Sequence, residues 1–118
     1  MYASQAIDIC DRLYANAVEA GDKLRWLAQL EGRLYLTVHG LHADPPPPPA
    51  GEITEQDAAQ YALLLAEAYS EIYPQYLIAM CAATDGDINR YNNQLSLYNS
   101  LLSEYRCWYK THHGFRIK

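Results

Sequence analysis

The chain is poor in glycine and cysteine, has a single phenylalanine, and carries no acidic residue after Glu104. Its six glycines are scattered, and none falls in a G-x-G-x-x-G or P-loop pattern, which excludes the usual backbone cradles for phosphate. No apolar run approaches the roughly 18 residues that a membrane-spanning helix needs. Residues 2–13 already contain Asp8, Asp11 and Arg12, so no classical export signal is expected. Cys10, Cys81 and Cys107 are odd in number and widely spaced, with no C-x-x-C, and they read as three buried thiols in a reducing environment. Proline is nearly confined to one run, residues 45–49, leaving only Pro74 to interrupt a helix.

Those 118 residues suffice for one core but not for two, so a single domain over 1–118 is expected. Charge is divided unevenly along it. All fourteen acids lie at or before Glu104 against five basic residues there, a net −9, whereas residues 105–118 carry four bases and no acid, a net +4. A basic arm on an acidic body can reach an acidic protein surface or nucleic acid, or simply place positive charge at a helix C-terminus.

Apolar periodicity is helical throughout. Ser4 is placed to cap a short first helix whose inner face is Ala6, Ile7, Cys10, Leu13 and Tyr14. Residues 16–21 read as a connection. A second helix from Asp22 carries Leu24, Leu27, Leu30, Leu34 and Val38, with Trp26 and Tyr35 on its flanks, and ends at Gly40. The five prolines cannot be helical, since each lacks an N–H and clashes with the preceding turn. As polyproline II they form a stiff spacer about 15 Å long, giving a proline-rich loop over residues 40–54. Thr54 and Asp57 approximate a capping box, which predicts a third helix from Glu55 with Ala58, Tyr61, Ala62, Leu65 and Tyr69 inward. Pro74 suits the first turn of a further helix, from Ser70 to about Ala83, burying Ile72, Tyr76, Leu77, Met80 and Cys81. Asp85-Gly86-Asp87 signals a turn and a new N-cap.

The last helix is the most informative. Ile88, Tyr91, Leu95, Tyr98, Leu102, Tyr105 and Tyr109 recur at steps of three and four, one seam along roughly six turns. Beside it runs a second row, Asn92, Ser96, Asn99, Ser103 and Arg106, nearly free of charge. A helix facing only water usually carries more charge, so Asn92, Ser96, Asn99 and Ser103 are candidate contacts to a neighbouring protein, the alternative being hydrogen bonding within the monomer. The fold class expected is all-α, with four to five helices in a small bundle, a long C-terminal helix and the proline-rich loop.

Catalytic patterns do not emerge. Asp85, Asp87 and Asn89 with Gly86 faintly suggest a calcium loop, but the glycine is misplaced and no glutamate follows at the twelfth position. His39 with His42, and His112 with His113, could offer imidazoles to zinc or nickel, yet adjacent histidines project in different directions. Glu31, Asp8 and Asp11 lack the spacing of an acid–base pair. No enzyme, cofactor or metal is expected, and a metal-dependent helical-bundle enzyme would have to retain metal on purification.

Two segments carry a family resemblance. Lys23, Arg25, Trp26, Leu27, Leu30, Glu31, Gly32, Arg33, Leu34 and Tyr35 match a K-x-R-W-L-x-x-L-[DE]-G-R-[IVL]-Y run. Tyr73, Tyr76 and Leu77, then Arg90, Tyr91, Asn92, Asn93, Tyr98 and Asn99, then Trp108, Tyr109 and His112 match Y-x-x-Y-L … R-Y-N-N-x-x-x-[LM]-[FY]-N … W-Y-x-x-x-H. Together, in this order over about half the chain, they resemble the small head–tail connector (adaptor, or head-completion) proteins of Firmicutes phages and prophages. Residues 40–69 match nothing in that pattern, and Asn16-Ala17 keeps only part of its first loop.

The resemblance implies a structural virion protein at the head–tail interface, made in the bacterial host cytoplasm. It implies a homo-oligomeric ring, a dodecamer in the virion and at times a monomer in isolation, seated beneath the portal protein and offering a surface to a tail or head-completion protein. DNA would pass through without sequence-specific binding, and an acidic body suits a channel that must not retain phosphate. The basic arm, residues 112–118 with the preceding Arg106 and Lys110, is the expected portal contact through Arg106, Lys110, His112, His113, Phe115 and Arg116. Apart from the resemblance, a small cytoplasmic helical binding module that uses the polyproline loop for recognition is the alternative.

Overall fold

The computed structural model describes residues 1–113. Four α-helices build it: α1 (Ala3–Leu13), α2 (Ala20–Thr37), α3 (Ile72–Asp85) and α4 (Ile88–His113), with 3-10 turns at His39–Leu41 and Glu67–Tyr69. The bundle is all-α among the described residues, with an antiparallel bridge between Tyr2 and Ala62. The buried side chains form one continuous cluster, drawn from every helix. At about 1.5 Å per residue α4 alone accounts for most of the 46 Å long dimension.

α3 and α4 form a helical hairpin and make the most extensive contact of the fold. Gly86 turns it, at φ 76° in the left-handed region that favours glycine. The Asp87 N–H reaches the Ala82 carbonyl at 2.9 Å and the Gly86 N–H that of Ala83 at 3.2 Å, closing a Schellman motif. Asp87 then caps α4 through Oδ1, which accepts the Arg90 N–H at 3.1 Å. Pro74 sits in the first turn of α3, where its missing N–H leaves no ladder bond broken.

Several boundaries differ from the sequence reading. The N-cap of α1 is Tyr2, with Ser4 already helical, because Gln5 Oε1 accepts the Tyr2 N–H at 2.8 Å. α2 starts two residues before Asp22 and stops at Thr37, so Gly40 lies in the following 3-10 turn. Glycine is needed there by close approach: a Cβ would stand 3.0 Å from the Tyr35 carbonyl oxygen. Leu13, placed inward by periodicity, is 56% exposed, and Cys107 is exposed while Cys10 and Cys81 are buried.

The largest correction concerns the helix expected from Glu55, which does not form. The Thr54 signal is real: Thr54 Oγ1 accepts the Asp57 N–H at 3.2 Å and donates to Asp57 Oδ2 at 2.9 Å. One turn follows, and then the backbone groups find tertiary partners instead of a helical ladder. The Tyr61 and Ala58 carbonyls accept the Ala3 and Ser4 N–H groups at 2.9 and 3.0 Å, and the Leu63 N–H donates to Met1 O at 2.9 Å. The first two bonds satisfy donors that open the first turn of α1, which no helical partner could reach. The Leu64 N–H donates to Glu31 Oε2 at 2.8 Å and the Leu65 N–H to the Tyr73 hydroxyl at 3.0 Å. With these groups paired elsewhere, the helical ladder is not continued. Ala62, expected inward, is exposed, and Leu63 is buried in its place.

Candidate functional site

The apolar seam of α4 is buried only in its C-terminal half. Tyr98, Leu102, Tyr105 and Tyr109 are buried, Tyr91 and Leu95 are half-buried, and Ile88 stands 63% exposed. The core beneath explains the split. Tyr98 packs on Tyr76 of α3, ring centroids 5.1 Å apart, and Tyr76 in turn accepts a hydrogen bond from Arg33 of α2, whose guanidinium lies 5.6 Å from its ring. Residues from three helices therefore meet in one column.

The row beside the seam points outward. Asn92, Ser96, Asn99 and Ser103 are all exposed, as are Asn93, Leu97 and Ser100 between them. Their side chains find no hydrogen-bond partner among the described residues, so asparagine bonding within the monomer does not account for them. From Asn92 to Ser103 this face exposes asparagine, serine and Leu97 but no charged residue.

At the far end of α4 the fold gathers histidines that are distant in sequence. His39, in the 3-10 turn after α2, meets Tyr109 edge-on at 4.8 Å, and His42 meets the same ring at 5.0 Å. His113 stacks on it at 3.9 Å and 14°. Nε2 of His39 shares a 2.7 Å hydrogen bond with the Tyr105 hydroxyl. Its Nδ1 is buried with no hydrogen bond of good geometry, although the Leu34 carbonyl lies near enough to favour the protonated ring. Burial pushes the His39 pKa down to about 4, with the neighbouring His113 and His42 acting in the same direction, so the ring is neutral at pH 7. Trp108 stacks on His112 at 4.8 Å, extending this aromatic cluster to the helix end. A pocket of about 320 Å³ opens against it, lined by Tyr105, Trp108, Tyr109 and His113 and bounded by Asp44 and Pro46.

Of the expected basic arm, Arg106, Lys110, His112 and His113 are exposed on the last two turns of α4, while Phe115 and Arg116 lie outside the described residues. His113 is the member that joins the pocket. The proline run is only partly free: Pro47 and Pro48 are exposed, but Pro45, Pro46 and Pro49 are half-buried against the body.

Buried polar groups elsewhere are structural in character. Glu31, 1% exposed, accepts the Tyr73 hydroxyl at Oε1 and the Leu64 N–H at Oε2, joining α2, α3 and residues 64–65. Desolvation holds its pKa above the ordinary carboxyl value, although both hydrogen bonds oppose the shift. Lys23, 3% exposed, pairs with Asp11 at 2.6 Å across α1 and α2. Beside that pair the buried thiols of Cys10 and Cys81 contact each other across α1 and α3, and the bond to Cys81 with burial pushes the Cys10 thiol up. Among the described residues no three His, Cys, Asp or Glu side chains converge as metal ligands, and no helix is long and apolar enough to cross a membrane.

Sequence spacing did not signal the convergence on Tyr109 or the partnership of Glu31 with Tyr73. The usable trace was the surplus of histidine and aromatic residues at both ends of the contact. Compared with family models, curated proteins and solved structures, the chain shows no significant match.

Proposed function

We propose that this chain is a non-enzymatic structural adaptor that assembles side by side into a ring at the head–tail junction of a tailed phage. The observation that carries the proposal is the outward face of α4, where Asn92, Ser96, Asn99 and Ser103 lie exposed, uncharged and without side-chain hydrogen-bond partners among the described residues. A cyclic ring needs two different complementary surfaces on each subunit, because its contacts are heterologous. The long helix provides one: its seam holds the monomer together while its polar row stays available to a neighbour. Hydroxyl and amide groups suit such a contact, since they give direction through hydrogen bonds without the desolvation cost of buried charge.

The resemblance of residues 23–35 and 73–112 to phage connectors supplies the partners. The ring would sit beneath a portal protein, and the basic end of α4 would face it. The acidic remainder would surround passing DNA without holding it. The test is electron microscopy of the chain mixed with the portal protein of its own genome. Rings stacked on the portal are expected, and they should be lost with Ser96→Arg plus Asn99→Arg, which places two charges in the contact. A chain that never associates with portal, or rings that tolerate both arginines, would remove the reading.

A further inference from the structure

We propose that a groove along the outer side of α2 receives the bare face of α4 from a second copy of this chain, so that subunits pair α4 into α2. This rests on the ring reading above and names the second surface that such a ring requires. The observation that carries it is Gly32. It lies in the middle of α2, its φ is not in the left-handed region, and a Cβ added there would meet nothing within 4 Å. Glycine inside a helix is less stable than alanine, because it loses more freedom on folding. Unlike Gly86 and Gly40, it answers no need of turn or crowding within the subunit. Close approach from outside supplies the reason, since a missing side chain lets another helix come near.

Two hollows, of about 460 and 390 Å³, share Gln29 on this side of α2. The first lies between Arg25 and residues 51–53, and the second surrounds Gly32 and Leu36. Leu36 is 72% exposed beside the notch that Gly32 leaves. The face of α4 carries a matching knob in Leu97, 44% exposed among asparagines and serines. The spacing of the two helices agrees in the antiparallel sense. Leu97, Ser100 and Glu104 advance by three and four residues, and Gly32, Gln29 and Arg25 step back by three and four. With Leu97 seated over Gly32 and against Leu36, Ser100 meets Gln29 and Glu104 meets Arg25.

Charge agrees with that register. Glu104 is exposed and has no ion-pair partner among the described residues. Arg25 engages Asp22 through one nitrogen at 3.3 Å, and the rest of its guanidinium fork can take a second carboxylate. α2 and α4 each pack on α3 and make no extensive contact with each other, so one subunit presents both surfaces at once. Because the surfaces differ, the contact is heterologous and passes from copy to copy without ending at a pair.

The test is a cross-link in the full chain, mixed with the portal protein of its own genome. Gln29→Cys and Ser100→Cys are combined in a Cys107→Ser background, which removes the exposed native thiol, and a short bis-maleimide is added. A ladder of dimers, trimers and higher species is expected, with none from either single-cysteine chain. Gly32→Leu fills the notch and should lower ring yield at least roughly tenfold, while circular dichroism stays that of the parent, since the new side chain meets nothing within its own subunit. Rings without a ladder, cross-links that stop at dimers or run to the portal, or rings that tolerate Gly32→Leu overturn the pairing and leave the ring reading standing. A ladder without rings on the portal keeps the pairing and removes the phage reading. Neither ladder nor rings removes both.

Discussion

α3 and α4 are the two arms of one hairpin, yet they differ in kind. Nine of the fourteen residues of α3 are buried, on every face, whereas α4 buries four of its twenty-six. α3 is a core element whose composition is explained by burial alone. α4 is half core and half surface, and its surface half has a composition that burial does not explain. Stability should therefore be concentrated in α3 and in the last turns of α4, and association in the outward row of α4.

The comparison breaks most easily at Leu77, fully buried in α3. Leu77→Ala should cost about 2–5 kcal/mol in chemical denaturation, from lost transfer energy and the cavity left behind. Ile88→Ala, on the exposed first turn of α4, should stay within about 0.5 kcal/mol. Comparable losses from the two would show that α4 is buried along its whole seam.

The second prediction concerns pH and the C-terminal half of α4. His39 is held neutral in the fold, with its pKa lowered to about 4 from an ordinary 6.5. Between those values the unfolded chain binds the extra proton and the folded chain does not. Its contribution is complete above pH 6.5 and is lost as pH falls towards 4, by roughly 3 kcal/mol at most. Glu31 acts in the opposite sense, because a raised folded pKa makes stability fall as pH rises through it. Stability curves of His39→Gln and the parent chain, differenced over pH 4 to 6.5, isolate the histidine. A flat difference would detach the histidine cluster from the folding of α4.

Tyr73 sharpens the contrast within α3. Tyr73→Phe removes the donor to Glu31 and the acceptor for the Leu65 N–H, and should cost about 1–3 kcal/mol by thermal or urea unfolding. Hydrogen exchange should rise first at Leu64 and Leu65, the segment these bonds hold. Protection unchanged there would mean that residues 61–65 are held by their pairing with residues 1–3 alone. The smallest effect is expected for the monomer of the Ser96→Arg, Asn99→Arg chain, within about 0.5 kcal/mol of the parent. A larger loss would place that row in the monomer core and not on a surface.

Much of the architecture was readable from residue spacing. The periodicity of Leu24, Leu27, Leu30 and Leu34, and of Tyr98, Leu102, Tyr105 and Tyr109, marks buried faces because helical geometry repeats one face every three or four residues. Glycine at position 86 between two aspartates is a local signal with a local cause, and it lies where the hairpin turns. Residues 55–69 defeated the same logic. Thr54 and Asp57 make the local turn they signal, but the following N–H and carbonyl groups are taken by residue 1, the first turn of α1, Glu31 and Tyr73. No local pattern encodes which distant backbone will compete for those groups.

The candidate sites divide along the same line. That Asn92, Ser96, Asn99 and Ser103 share a face is determined by the sequence alone, because they lie on one uninterrupted helix. Tertiary structure decided that this face would be left bare, since α3 covers the opposite side. It also decided that His39, His42 and His113 would meet at Tyr109 and that Asp44 would stand at the rim of an aromatic pocket. Periodicity is a property of one helix, whereas these meetings depend on how α2 ends and where the chain returns after it. Their position was set by packing between elements far apart in the chain, which spacing does not record.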